Sequence, residues 1–562
     1  MKKTIFILIA FCLGIFGNSC SNFEELNENP NALTKTSDSY YVSYLITNYA
    51  KQNRIISADA GAYIPSAMQY YADGDPLKPA EKNAYEWTRD GGNHPYNNYY
   101  NYLRTNKTLY ENGVNDNNPA YQAIALTMKS LMFGDMTDLY GDIPYSEALQ
   151  NEDGIKYPKY DMQKDIYEGI LTDLRTASEL IEGLPAGSTL PMITDCDLFY
   201  DGSRDKWLRF INSIRLRYCM RLNNKKAELD INIESEFKDA ATKAFTNASD
   251  DAVLHLLGTN SDNSSLDGPI NSGQATWRAK IASTMVNALK ERNDPRLYRF
   301  VSPVETKRAF GITEEYEMDY TDILGQNFQI EVIPTSDPSV DTSLYVGLPP
   351  GISNGDAVKN FNKGDSPDFS FDLRSPYISY FGPYYFENAN DYVSPRVISY
   401  SEVKFIMAEA ATLGLFGVTN AEDHYKEGIR ASMESYGIFK SAGDKFSFDN
   451  YYNQSNVNYA QTPQDKRHEL VMTQKWISSW CTAESWYDWR RTGLPNLVPA
   501  ASSNYKVMPI RYYYVYPSPP DPEYLENYKQ AVGRLEYTHG IQGEVDNQYS
   551  RMWLLQGTNK PY

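Results

Sequence analysis

The chain has 562 residues, enough for two to four ordinary domains or for one large helical array. Its formal charge of −19 makes nucleic acid a poor partner, and its aromatic content of 14%, with 47 tyrosines, excludes a disordered polymer. The five histidines are widely scattered, which argues against histidine-rich metal or relay chemistry.

The N-terminus has the pattern of a secretory signal peptide, which we predict over residues 1–19. Lys2 and Lys3 precede an apolar run of 12 residues, Ile5 to Phe16, and a spanning helix needs about 20. No comparable run follows, so we expect an exported chain without a spanning helix. Loss of the signal removes two lysines and no acid, which changes the formal charge from −19 to −21.

Cys20 follows the small residues Gly17-Asn18-Ser19 and resembles the lipidated cysteine of a bacterial lipobox, although Gly17 stands where leucine is usual. We predict lipidation of Cys20, because two acyl groups on one cysteine anchor a protein stably to a membrane. Residues 20–38 are then a polar, lipidated tether. The alternative is cleavage by the general signal peptidase, without a lipid.

Hydrophobic spacing predicts helices along the body of the chain. The predicted helices are one from Pro119 that closes on Gly141 and Pro144, one over 162–181, one capped by Asp205, one from Val403 to Leu413, and two over 421–436 and 464–480. Two of them carry a stripe of residues expected to be buried. The stripes are Trp207, Ile211, Ile214 and Tyr218, and Val403, Ile406, Ala410 and Leu413.

Several predicted helices come as helix, short turn, helix, which is typical of stacked helical hairpins such as tetratricopeptide units. Two stretches, 258–395 and from 498 onwards, lack this periodicity and are rich in Asn, Asp, Gly, Pro and Tyr. Because they are also aromatic, we expect them to be ordered and functional. Cys196, Cys219 and Cys481 have no disulfide or zinc spacing and are expected to be buried free thiols.

Nine short motifs are spread in order over almost the whole chain. They are NENPN (27–31), LYGDIPYSEAL (139–149), LFYDGSRDKWLRFINSIRLRYCMRLN (198–223), NDPRL (293–297), YSEVKFIMAEAATLG (400–414), HYKEGIRASMESYGI (424–438), QKWIS (474–478), ESWYDWRRTGLPNL (484–497) and IRYYYVYP (510–517). These motifs resemble those of the SusD/RagB family of surface nutrient-binding lipoproteins, in particular its SusD-like branch. No single motif is long, but together and in this order they are specific.

The resemblance implies a mainly α fold, a SusD-like α-α superhelix of four tetratricopeptide-like hairpins with an irregular second part. It implies one domain over 39–562, with the helical scaffold at about 39–257 and 396–497 and the irregular, ligand-binding part at about 258–395 and 498–562. It also implies a lipid anchor in the outer membrane and a TonB-dependent, SusC-like β-barrel partner. In such pairs the lipoprotein is a hinged lid that delivers oligosaccharide or, in some members, peptide.

Charged and aromatic residues within the predicted helices are interpreted as structural. Trp207, Arg215, Arg217 and Arg221 share one helix, and Trp486, Trp489, Arg490 and Arg491 share another. We expect them to pack and to pair with acids rather than to bind ligand. Glu402 and Glu409 lie on one helical face, where arginine partners are expected rather than an acid/base pair.

The ligand-binding residues are predicted in two aromatic loops. A sugar ring has an apolar C–H face and hydroxyl edges, so its site needs an exposed aromatic face beside amide, carboxylate or guanidinium groups. The candidates are Tyr71, Asp73, Trp87, Arg89, Asp90, Asn93 and Tyr96 in the first loop and Tyr384, Tyr385 and Asn388 in the second. Trp87 is the foremost of them. The alternative for each tyrosine is that it packs the irregular part onto the helices.

The sequence therefore predicts a non-catalytic lipoprotein of the outer membrane, facing the cell exterior, that binds a glycan and hands it to its transporter. One alternative is peptide capture by the same kind of system, since an acidic surface favours basic peptides. A less favoured alternative is a lipid-anchored glycoside hydrolase that uses two carboxylates. No cofactor is predicted; the Asp195, Asp197 and Asp201 run lacks the glycine of a calcium loop, so calcium stays open but is not predicted.

Overall fold

A computed structural model of the protein describes residues 37–562 except for 59–62, 75–78, 90–94, 194, 266–267, 272–278, 367–374, 519, 559 and 561. The predicted signal peptide, Cys20 and the tether as far as residue 36 lie outside the described residues. Helices and strands are numbered over the described part of the chain.

Long helices occupy the first and last thirds of the chain, and short strands lie between and beside them. The helices are α1 (Asp38–Ala58), α2 (Ile64–Ala67), α3 (Pro79–Asn83), α4 (Tyr96–Asn115), α5 (Pro119–Tyr140), α6 (Gln163–Glu182), α7 (Arg204–Arg221), α8 (Ile233–Ala241), α9 (Ser283–Glu291), α10 (Leu297–Phe300), α11 (Gly355–Asn360), α12 (Tyr400–Thr412), α13 (Ala421–Ser435), α14 (Ile438–Ala442), α15 (Phe448–Tyr452), α16 (Arg467–Ser478), α17 (Ala483–Thr492) and α18 (Pro522–Gly533). The strands are β1 (Tyr71–Asp73), β2 (Ala252–Val253), β3 (Ala279–Ile281), β4 (Thr306–Ala309), β5 (Tyr316–Thr321), β6 (Asn327–Pro334) and β7 (Arg396–Ile398).

The long helices pack side by side in chain order, which confirms the mainly α, helical-hairpin fold. α4 and α5 are joined by three residues and pack on each other, and α6, α7 and α8 continue the row. α12 packs on α7, and α13 and α16 pack on α12, so the two helical regions form one scaffold. Among the helices described here, none combines the length and the apolar character that crossing a membrane requires.

The described part of the chain contains three small sheets. β1 pairs with β3 and β2 pairs with β7, both antiparallel. β6 lies between β4, to which it is parallel, and β5, to which it is antiparallel. The β1–β3 pair is important for the site, because it joins the chain just after α2 to the chain just before α9.

The start of α5 follows from the sequence, whereas the start of α7 needs a correction. Asn118 caps α5 by accepting hydrogen bonds from the backbone of Ala120 and Tyr121, as the Asn-Pro start predicts. The prediction that Asp205 caps α7 is wrong. Ser203 occupies the cap position, and Asp205 lies in the first turn, 2.9 Å from the Arg204 guanidinium.

The predicted buried stripes are confirmed except at one position. Trp207, Ile211, Ile214 and Tyr218 are all buried in the core of the scaffold. In the second stripe Leu413 is exposed, because α12 ends one residue earlier and Leu413 turns away as its C-cap. Cys196 and Cys219 are buried free thiols, as expected, and Cys481 is buried as well.

The buried arginines pair with acids, which confirms their structural interpretation. Arg217 Nε lies 2.7 Å from Glu402 Oε1, and Arg491 contacts Glu409 Oε1 at 2.6 Å. Arg221 bridges two carboxylates, those of Asp138 on α5 and Glu484 on α17. The remaining members of both predicted groups, Arg215 and Arg490 with the three tryptophans Trp207, Trp486 and Trp489, are buried as well.

Asp135 on α5 is a buried acid without a direct ion pair in the described structure. Its Oδ2 accepts a 2.7 Å hydrogen bond from the Tyr99 hydroxyl and a 3.5 Å one from Asn53. Burial is the main cause that raises the pKa of Asp135 to about 6, and the charges of Glu484 and Asp138 add to it. Between pH 4 and 6 the folded state therefore binds a proton that the unfolded state releases.

The raised pKa of Asp135 predicts that its contribution to stability is full below about pH 4 and is lost as the pH rises through about 6. Asp135→Asn keeps an acceptor for Tyr99 and removes the charge. We expect it to stabilise the protein at pH 8 by about 2 kcal/mol and to leave it nearly unchanged at pH 4. Thermal unfolding at both pH values measures this.

Asp138→Asn is the matched control, because Asp138 on the same helix pairs with two buried arginines, Arg221 and Arg490. Its loss of charge leaves those arginines uncompensated, so it should destabilise the protein at pH 8. An Asp135→Asn variant that melts below the parent at pH 8, as the control does, would contradict the prediction, because it would show that the charge of Asp135 stabilises the fold.

Candidate functional site

The two predicted loops meet in the structure. β1, in the first loop, pairs with β3 so that Tyr71 lies opposite Ile281. The ring of Tyr71 lies 5.9 Å from that of Phe381, which begins the second loop. The loops therefore belong to one region, where the irregular part covers the scaffold.

Trp87 lies inside this region rather than on its surface. Its indole stacks on Tyr63 with centroids 4.8 Å apart and planes 12° apart, and it packs against Tyr512 and Trp486 at 5.5 and 6.0 Å. Only 4% of the residue is exposed. The expectation that Trp87 offers an open face in a polar loop is wrong, because the loop folds its one large apolar side chain onto α17.

Four other predicted aromatics are also buried: Tyr71, Tyr96, Tyr384 and Tyr385. The indole N–H of Trp480 donates a hydrogen bond to the Tyr385 hydroxyl. Tyr96 meets Tyr140 edge to face at 5.6 Å. The packing alternative describes the position of these side chains in this structure. Tyr71 and Tyr385 join the irregular part to the scaffold, and Tyr96 packs within the scaffold.

The polar candidates have structural partners where the structure describes them. Asp73 lies 3.3 Å from the Lys82 ammonium, and its backbone N–H and carbonyl both bond to the amide of Asn83. Asn388 accepts a hydrogen bond from the backbone N–H of Ile270 at 2.9 Å. Asp90 and Asn93 lie outside the described residues.

Among the predicted residues that the structure describes, Arg89 and Asn388 are partly exposed, and Arg89 contacts the C-terminal part of the chain. Its guanidinium donates to Asp546 Oδ2 at 2.5 Å and to Glu544 at 3.4 Å, and lies 4.9 Å from the centroid of the Tyr513 ring. About 29% of its side chain is exposed. It joins the first loop to residues more than 450 positions further along the chain.

Asp546 holds Arg89 in this contact and is itself held by several hydrogen bonds. Its carboxylate accepts from Arg511 at 2.7 Å, from the backbone N–H of Tyr514 at 3.1 Å and from the Tyr528 hydroxyl at 2.9 Å. Burial alone would raise the pKa of Asp546, but the charges of Arg511 and Arg89 outweigh it and keep that pKa below its ordinary value. The carboxylate is therefore charged and holds Arg89 and the Tyr513 segment in place.

The C-terminal part of the chain, which contacts Arg89 through Tyr513, also carries exposed tyrosines. Tyr505, Tyr516 and Tyr537 are 37%, 48% and 40% exposed, and Tyr513 is half-buried. We call these four tyrosines, with Arg89 and Glu544, the tyrosine belt. The belt has aromatic faces beside a guanidinium and a carboxylate, which is the chemistry that a sugar site needs.

Neighbouring rings hold the belt tyrosines in place. Tyr516 packs against Tyr528 at 5.3 Å, and Tyr528 in turn donates to Asp546. Tyr505 packs against Tyr549 at 5.3 Å, and the Tyr549 hydroxyl donates to the backbone of Tyr85 in the first loop. The belt thus rests on contacts between the predicted first loop and the C-terminal part.

The sequence contained one signal for the belt that our prediction did not use. In IRYYYVYP, buried Tyr512 and Tyr514 alternate with half-buried Tyr513, which is the period of two expected of extended chain with one buried side. Tyr516 has the same parity as the buried pair and is exposed, so the period does not extend to it. A reading of that period would have placed Tyr513 opposite the buried pair.

In the described residues, no group of three or more His, Cys, Asp or Glu side chains could hold a metal ion. In the Asp195, Asp197 and Asp201 run, the Asp197 carboxylate accepts instead from the Trp207 indole at 2.7 Å and from the backbone of Gly202 at 2.8 Å. It closes the turn that leads into α7.

Sequence comparison matches residues 30–517 to the SusD-like family, which is described as starch-binding and associating with the outer membrane. No curated protein sequence matches the chain.

Three similar solved structures cover nearly the whole chain. A SusD homolog from Bacteroides fragilis has 23% identity, covers 92% of this chain and 99% of its own, and gives a TM-score of 0.68. A SusD homolog from Bacteroides uniformis has 22% identity, covers 92% of this chain and 99% of its own, and gives a TM-score of 0.67. A chitin-binding SusD homolog from Flavobacterium johnsoniae has 17% identity, covers 93% of this chain and 100% of its own, and gives a TM-score of 0.67. At these identities the structures show that the fold is shared.

Because Asp546 holds Arg511 and Arg89, its removal should lower the stability of the protein strongly. Asp546→Ala leaves the fully buried Arg511 without its carboxylate and releases Arg89, so we expect a loss of about 3–5 kcal/mol in the free energy of unfolding. Chemical denaturation measures it. Glu544→Ala is the control, because its pair with Arg89 is solvent-exposed and should contribute less than about 1 kcal/mol. Equal losses in the two variants would contradict the assigned role of Asp546.

Proposed function

This chain belongs to the SusD-like family, and on that premise we propose that it is a surface-exposed outer-membrane lipoprotein that captures a glycan and delivers it to a TonB-dependent transporter. The motifs had predicted the family, and that prediction is confirmed over residues 30–517. The family is associated with the outer membrane and with starch binding. Lipidation of Cys20, exposure to the cell exterior and the barrel partner are parts of the proposal.

The observation that carries the glycan proposal is the tyrosine belt. Tyr505, Tyr516 and Tyr537 are exposed, and the half-buried ring of Tyr513 lies beside the paired charges of Arg89 and Glu544. A pyranose that stacks on Tyr513 or Tyr516 would bring its hydroxyls to these charged groups. Such a site binds without making or breaking bonds, and we propose a non-catalytic protein.

The paired state of Arg89 supports a neutral glycan. Its guanidinium has two carboxylates within 3.4 Å, Asp546 and Glu544, so its charge is already compensated. The mature chain as predicted has a formal charge of −21, which disfavours anionic ligands at long range. The ligand class proposed is therefore a neutral oligosaccharide.

The proposal is tested by calorimetric titration of the protein lacking residues 1–20 with maltoheptaose, cellohexaose, xylohexaose and chitohexaose. For a sugar that binds, Tyr513→Ala and Tyr516→Ala should each weaken the affinity about fivefold to thirtyfold, because a lost ring contact costs about 1–2 kcal/mol. Tyr40→Ala, at an exposed tyrosine of α1, is the matched control and should bind like the parent. Unchanged affinity in both belt variants would show that the site lies outside the tyrosine belt.

Two further assays separate the alternatives. A panel of basic and neutral oligopeptides, titrated in the same way, tests peptide capture; binding of peptides and of no sugar would contradict the glycan proposal. Release of reducing ends from the four sugars by the purified protein would show a glycoside hydrolase and contradict the non-catalytic role.

A further inference from the structure

A cavity lies on the helical scaffold, and none of the residues that line it belongs to the tyrosine belt. It is formed by the C-terminal half of α4, the N-terminal half of α5 and the 145–150 segment, and has a volume of about 280 Å³. One water occupies about 30 Å³, and pockets for drug-sized molecules begin at about 300 Å³. The cavity is therefore sized for one sugar residue or one comparable group.

The floor of the cavity is apolar. Leu103 of α4 and Ala125 and Leu126 of α5 line it, and all three are buried within the scaffold. A bare hexose has hydroxyls on every edge and would leave some of them against this floor without partners. A methyl group fits such a surface better.

One buried acceptor in the lining has no partner among the described residues. Asn106 is 3% exposed; its Nδ2 donates to the carbonyl of Ala125 at 3.0 Å, while its Oδ1 receives no hydrogen bond. A buried acceptor left in this state costs free energy, and native structures seldom keep one without a reason. This oxygen has almost no accessible surface in the present rotamer, so a small rotation of the Asn106 side chain would bring it to a ligand N–H in the cavity.

The rim supplies a donor and an aromatic face. Lys107, the next residue, holds its ammonium 3.1 Å from the carbonyl of Leu149 and is partly exposed, so it can also donate to a ligand carbonyl. Tyr110, one turn further along α4, is 37% exposed and lines the same cavity. A ring can stack on Tyr110 while its substituent enters the cavity.

From these features we propose that the cavity binds the 2-acetamido group of an N-acetylhexosamine. The acetamido methyl lies on the floor of Leu103 and Leu126, its N–H donates to Asn106 Oδ1, and its carbonyl accepts from Lys107. The pyranose ring stacks on Tyr110. The sugar identity of the ligand rests on the proposed function, but the site is separate from the belt.

Saturation-transfer NMR on the protein lacking residues 1–20 tests this, with N,N′-diacetylchitobiose as the probe and the acetamido methyl signal as the readout. Asn106→Leu removes the acceptor and keeps the side-chain size, and Tyr110→Ala removes the ring. Each should reduce the methyl signal at least fivefold. The controls are Asn115→Leu, an exposed position on the same helix, and Tyr40→Ala, an exposed tyrosine on α1. Both controls should leave the signal unchanged.

The choice of ligands separates the sources of the signal. Cellobiose has the same linkage without acetamido groups and should give no signal that depends on Asn106. N-acetylalanine methylamide has the acetamido group without the sugar ring and should bind more weakly, with no effect of Tyr110→Ala. An equal signal from it, lost in Tyr110→Ala, would assign the cavity to peptides and overturn the sugar proposal.

The belt variant Tyr513→Ala keeps this inference independent of the proposed function. The chitobiose methyl signal that depends on Asn106 should persist in Tyr513→Ala, whatever that variant does to the other sugars. No chitobiose signal, or a signal that Asn106→Leu leaves intact, would overturn the inference. Thermal unfolding of Asn106→Leu checks that it is folded; the loss of an unsatisfied acceptor should not lower its melting temperature.

Discussion

The structure depends on a buried network of charges between the helices of the scaffold. Arg217 and Arg221 of α7 reach Glu402 of α12, Glu484 of α17 and Asp138 of α5. None of these groups can be removed singly without leaving a buried charge uncompensated, which costs several kcal/mol. The network therefore fixes how α5, α7, α12 and α17 are placed relative to one another.

The position of α17 then determines the site. Arg490 of α17 donates to the backbone carbonyl of Ile510 at 2.7 Å, which sets the start of the IRYYYVYP segment. Trp486 of the same helix packs against the ring of Trp87. Arg89, two residues after Trp87, is thereby brought to Asp546 and Tyr513. A buried ion network in the helices thus controls which aromatic rings are packed and which remain on the surface.

Much of the fold could be predicted because helix periodicity and the family motifs are properties of neighbouring residues. The errors at Asp205 and Leu413 are shifts of one or two residues at helix ends, where several polar residues compete for the cap. The site was harder. The burial of Trp87 depends on Trp486 and Tyr512, about 400 residues away, and a polar local sequence does not report such contacts. Arg89 stays a predicted binding residue; its partner Asp546 and the belt around Tyr513 could come only from the folded chain.

Hydrogen exchange measured by mass spectrometry, with and without an oligosaccharide that binds the protein lacking residues 1–20, tests the central claim most directly. The tyrosine belt predicts slower exchange in peptides that cover 505–516 and 537–546, with no change in the buried core of α7. Protection confined to segments outside the belt, with 505–516 and 537–546 unaffected, would contradict it.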